Sequence, residues 1–113
     1  SGVAQGGEFR VNTTTYGNQQ NPSVAMDADG DFVVAWRGYT NSSSYEDIYA
    51  QRYNANGVAQ GSEFMVNSQT DYYQYNPSVA MDADGDFVVA WQSYQYVSYD
   101  DVYAQRYNAN GVA

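Results

Sequence analysis

Between Phe32 and Trp36 the chain reads Phe-Val-Val-Ala-Trp, apolar at every position, and the same five residues return at 87–91. A run this short, apolar on both parities and rich in β-branched and aromatic side chains, predicts a strand buried on both faces. Three more segments of the first half fit strands. Glu8 to Asn12 alternates, with Phe9 and Val11 on one face; Ser23 to Met26 is a small-residue strand after Pro22; Ile48 to Tyr53 is the last. Turn residues separate these segments, and no stretch carries a helical period.

The whole pattern occurs twice. Asn21 to Trp36 (NPSVAMDADGDFVVAW) recurs letter for letter at Asn76 to Trp91, and YAQRYNANGVA occurs at Tyr49 and again at Tyr103. Two units follow, 1–56 and 57–113. Gly-Val-Ala stands at both ends of the chain, which leads us to expect a whole number of repeats cut from a longer array.

The connections alternate in kind. Asp27-Ala28-Asp29-Gly30 and Asn54-Ala55-Asn56-Gly57 are tight hairpin turns with glycine where φ must be positive. The other two connections, Thr13 to Asn21 and Arg37 to Asp47, are long. In an up-and-down meander the tight turns gather at one end of the strands and the long loops at the other. Divergence between the copies is concentrated in the long loops, where TTTYGNQQ becomes SQTDYYQY and RGYTNSSSYED becomes QSYQYVSYDD.

A four-stranded meander repeated about every 55 residues predicts an all-β chain of two four-stranded antiparallel β-propeller blades. The stretch PSVAMDADGDFVVAW followed by IYAQRYNANG resembles a blade-like repeat of large bacterial surface or secreted proteins, found in long arrays often beside calcium-binding modules. The likeness covers essentially the whole chain and implies an extracellular or cell-surface location, with any signal outside the sequence. It says little about activity. Two blades cannot close a ring, so a homo-oligomer is expected. The first strand of one chain, Glu8 to Asn12, would complete the last blade of another. A tetramer of eight blades is favoured and a trimer of six comes second.

Composition narrows the chemistry. Arg10, Arg37, Arg52 and Arg106 are the only cations, since Lys and His are absent, and they stand against 13 carboxylates for a net charge of −9. Such a chain repels nucleic-acid phosphates and anionic membranes. Without His or Cys there is no imidazole base, thiolate, disulfide or soft-metal site. No apolar run reaches the length of a membrane span.

Asp27, Asp29 and Asp31, with Asp82, Asp84 and Asp86, have the one-three-five spacing of calcium loops. An EF-hand needs Gly at its sixth position and Glu at its twelfth, where Phe32 and Gly38 stand. The Asn54–Gly57 turn has the same form without carboxylates, so a metal-free hairpin is the preferred reading and calcium the alternative. No other cofactor is indicated. Trp36 and Trp91 read as core rather than as sugar-stacking platforms. Arg52 and Arg106 are expected in ion pairs with Glu8, Glu63 or the turn aspartates.

The best functional candidates are the loop tyrosines Tyr16, Tyr39, Tyr45, Tyr72, Tyr73, Tyr75, Tyr94, Tyr96 and Tyr99, set among Ser, Asn, Gln and Thr. This composition resembles a binding loop for a glycan or protein; the plainer alternative is loop-on-loop packing. The paired acids Glu46–Asp47 and Asp100–Asp101 adjoin in sequence at strand entrances, where acids are usually solvated, so an enzyme is not expected.

Overall fold

Each tight turn is closed by its own first residue. Asp27 Oδ1 accepts the backbone amides of Asp29 and Asp31 at 2.8 and 3.0 Å, and Gly30, at φ 92°, supplies the left-handed step. Asn54 Oδ1 accepts from Asn56 and Val58 in the same way. The strands these turns join are seen in a computed structural model that describes residues 2–15, 17–39, 45–68, 73–95 and 99–113. They are β1 (Gln19–Met26), β2 (Phe32–Gly38), β3 (Asp47–Tyr53), β4 (Ala59–Met65), β5 (Gln74–Met81), β6 (Phe87–Gln95) and β7 (Tyr99–Tyr107). All pairing is antiparallel, in two sheets ordered β1-β2-β3-β4 and β5-β6-β7. The chain is therefore all-β, with no helix among the described residues.

The fourth strand of the first sheet comes from the second repeat, because the segment after the Asn54–Gly57 turn folds straight back onto β3. The expected strand at Glu8 to Asn12 does not form. It is the first-copy counterpart of part of β4, and the chain holds no earlier sheet for it to join. For the same reason the second sheet has three strands rather than four.

The two sheets pack face to face. On β2 and β3 alternation puts Val33, Ala35, Ile48 and Ala50 on a forward face, all four fully buried. They meet the rear face of the second sheet, where Val79, Phe87, Val89, Trp91 and Tyr107 complete one core. β5 lies mainly against β1 and β2 and little against β3, so the sheets diverge towards β4. Phe64 on β4 reaches across to Tyr107, with ring centroids 5.4 Å apart and planes at 56°.

Phe9 makes the same contact with Tyr53, at 5.3 Å and 56°. Phe9 and Tyr53 are the first-copy counterparts of Phe64 and Tyr107. The unpaired opening segment thus lies against the rear of the first sheet, where the outer strand of a preceding sheet would lie. Thr13 and Thr14 continue this docking by bonding the Glu63 carboxylate, the shortest contacts being 2.6 Å. Burial pushes the Glu63 carboxyl upward, but these bonds outweigh it and hold it below its ordinary value.

Candidate functional site

The tight turns share one end of the molecule. Asp31 Oδ1 takes the Ala55 amide at 2.9 Å and Asp86 Oδ1 takes that of Ala109 at 3.0 Å, tying the two turns of each repeat together. Asp82 Oδ1 accepts the Asp84 and Asp86 amides, as Asp27 does in the first copy. The leading oxygens of both aspartate triplets are thus committed to backbone N–H groups. Asn108 does the same work with an amide oxygen. Among the described residues no three acidic side chains gather into a metal-holding cluster.

Arg52 is not ion-paired as its sequence setting suggested. Its Nη1 donates to the Ala109 carbonyl at 3.0 Å, which joins the first sheet to the turn of the second. Arg106, its counterpart, is exposed. The ion pair among the described residues is instead Arg37 Nε with Glu46 Oε2, 3.4 Å apart. Glu46 and Asp47 are buried rather than solvated. Asn67 explains half of this: its Nδ2 donates to Asp47 and its Oδ1 accepts the Ile48 amide. Burial raises the Asp47 pKa, and the Asn67 bond offsets only part of that rise.

The long-loop end carries the tyrosines. Tyr45 and Tyr73, from different repeats, meet edge to face at 5.2 Å across the seam between the sheets, and both are exposed. Tyr75 donates its hydroxyl to Asp100 at 2.5 Å, a bond that, ahead of burial, raises its pKa. Tyr39 and Tyr94 are half-buried nearby in sequence terms, Tyr39 closing over Gly17, whose place admits no side chain. Tyr99 is placed as the first residue of β7. Tyr16, Tyr72 and Tyr96 lie outside the described residues. Beside the seam, Arg37 also donates through Nε and Nη2 to Gln20, at 3.1 and 2.6 Å. Gln20 and the Arg37–Glu46 pair were not singled out from sequence, where an Arg nine residues from a Glu has no visible geometry.

Trp36 and Trp91 are buried, each giving its indole N–H to a glutamine (Gln19 and Gln74) and stacking on Tyr49 and Tyr103. They offer no face to a sugar.

Among the described residues no further sheet covers the two outer surfaces, although the opening segment lies over the rear of the first sheet at Tyr53. On the rear face of the first sheet, Val24 is 62% exposed, whereas its equivalent Val79 is 8% exposed. Beside β7 a hollow of about 740 Å³ opens over Met81, Phe87, Arg106, Tyr107 and Val112. The corresponding corner of the first sheet is closed down to about 250 Å³ by Met81, Asp84, Gly85, Ala109 and Asn110 of the second. Compared with protein families, curated proteins and solved structures, the chain finds no match.

Proposed function

We propose that the chain is a non-enzymatic structural and binding repeat: two blades of a β-propeller that closes by head-to-tail association of copies and offers its tyrosine-bearing loops to a glycan or protein. The observation that carries this is the internal interface. The forward face of the first sheet fits the rear face of the second, and the free forward and rear faces of the chain repeat those two surfaces almost residue for residue. A second copy is the occupant whose chemistry already matches. In that contact Glu8 to Asn12 of one chain pairs with β7 of the next as β4 pairs with β3. Asn12 would then hold Asp101 and Val102 as Asn67 holds Asp47 and Ile48. Closure removes a sheet edge and a large apolar surface from water, which favours association.

Because each chain brings two blades, rings of four chains or three chains are the candidates, the former favoured. A calcium-dependent module gains no support from the turns, whose bonds asparagine makes equally well. The Tyr45–Tyr73 pair, exposed and held edge to face across the seam between the sheets, suits a planar or ring-shaped partner. Deleting residues 1–12 tests assembly: the truncated chain should remain folded but no longer form closed particles. A glycan array tests binding, with any signal expected to fall when Tyr45 and Tyr73 are both changed to Ala. Truncated chains that still assemble would count against the exchange of the first strand.

A further inference from the structure

Asn21 and Asn76 are the only non-glycine residues at positive φ among those described, at 55° and 54°. Asparagine tolerates this left-handed backbone better than most residues. Each lies where the pairing register slips, between Gln20 and Ser23 on β1 and between Tyr75 and Ser78 on β5, and each precedes a proline that has no N–H to offer the ladder. Both asparagines are exposed. Asn21 Nδ2 donates to Asn76 Oδ1 at 3.2 Å. One residue of the repeat is thus bonded to its own counterpart in the next repeat.

A bond between equivalent positions can be repeated without limit. Asn76 has two Nδ2 hydrogens and gives one to Gln92 Oε1, leaving the other. Asn21 Oδ1 accepts no bond from the described residues. Among the described residues the chain therefore ends in an unused donor at one blade and an unused acceptor at the other. Both lie on the first strand of a blade, on the side away from β4, where β5 and β1 come together. In a closed propeller that is the side of the axis.

Resting on the ring reading above, we propose that Asn21 and Asn76 build a closed circle of amide hydrogen bonds around the propeller axis, Asn76 Nδ2 of one chain donating to Asn21 Oδ1 of the next. The site is incomplete in one chain and is completed by the partner copy. Only a carboxamide serves here. A carboxylate cannot donate, and a circle of carboxylates would set like charges side by side; a hydroxyl is too short to span between blades. The circle fixes blade-to-blade register at the axis, while the exchanged strand fixes it at the rim.

Two double variants test this. Asn21→Gly with Asn76→Gly keeps the positive φ and removes the amides. Asn21→Asp with Asn76→Asp keeps the shape and removes the donors. Light scattering on a dilution series should show the Gly pair dissociating at about tenfold higher concentration than the parent, the scale of one or two neutral side-chain hydrogen bonds per contact. The Asp pair should dissociate at higher concentration still. Parent rings with Gly-pair rings that dissociate at the same concentration would overturn the amide circle while leaving the propeller intact. A parent that is itself a single chain would overturn both. If the Asp pair fails to fold, the Gly pair decides.

Discussion

Ile48 and Val102 hold the same place in the two copies of the repeat, yet Ile48 is 0% exposed and Val102 is 76% exposed. Their sequences differ by one methylene, so the difference comes from what stands beside them. Ile48 is covered by the second sheet and by β4 with the Val66–Asn67 segment that follows it, Val66 donating its amide to the Ile48 carbonyl at 2.7 Å. Val102 has no such neighbour among the described residues.

This contrast predicts the outcome of Val102→Asp. In a lone chain an exposed substitution changes stability by less than about 0.5 kcal/mol. In the assembled protein the same change buries an unpaired charge, so the variant should remain folded as a single chain while losing the larger particle. Circular dichroism with light scattering reads both. A variant that assembles like the parent would mean that β7 is not a contact surface.

Tyr49 is buried and its hydroxyl has no hydrogen-bond partner among the described residues. Burial, then the charges of Asp47 and Glu63, push its pKa up to about 12 from an ordinary value of 10.0. Because the folded value is the higher one, this tyrosine's contribution is fully present below pH 10 and is lost as pH rises towards 12. Tyr49→Phe should therefore raise stability at pH 7 by about 1 kcal/mol, by relieving an unsatisfied buried hydroxyl, and should soften the alkaline transition. Denaturant melts at pH 7 and above pH 10 check this. A clear loss of stability at pH 7 would show that the hydroxyl is bonded after all.

Asp27→Asn with Asp82→Asn copies the chemistry of Asn54 and Asn108. The two amide bonds at each turn survive the change, so the melt should move by no more than about 1 kcal/mol equivalent. Chelator should leave the parent's melting temperature where it was. A fall of many degrees on adding chelator would establish the calcium alternative.

The core tryptophans carry the largest single-residue effects. Trp91→Ala removes a buried indole from the interface between sheets together with its hydrogen bond to Gln74 Oε1; a loss of about 3–5 kcal/mol is expected by equilibrium unfolding. Trp36→Ala should fall in the same range. A negligible loss at Trp91 would mean that the sheets are not packed through that face.

Much of this architecture was legible in the sequence for a local reason. The tight turns are set by four residues each, and the apolar run at Phe32 marks the central strand without outside help. What stayed hidden depends on distant partners. Glu8 to Asn12 has strand character, but a strand exists only when another lies beside it. Arg52 looked like half of an ion pair because its carbonyl partner, Ala109, is 57 residues away. Glu46 and Asp47 looked solvated because Arg37 and Asn67 cannot be seen closing over them from composition. Of the loop face, the tyrosines were evident by type, whereas the Tyr45–Tyr73 contact required knowing that the two repeats pack side by side.

The central claim is that one chain's open blade is completed by another copy. Light scattering coupled to size-exclusion chromatography measures this directly. The account predicts a discrete folded particle of four chains, or of three, each of 12.5 kDa. A stable, folded particle with the mass of a single 12.5 kDa chain would contradict it.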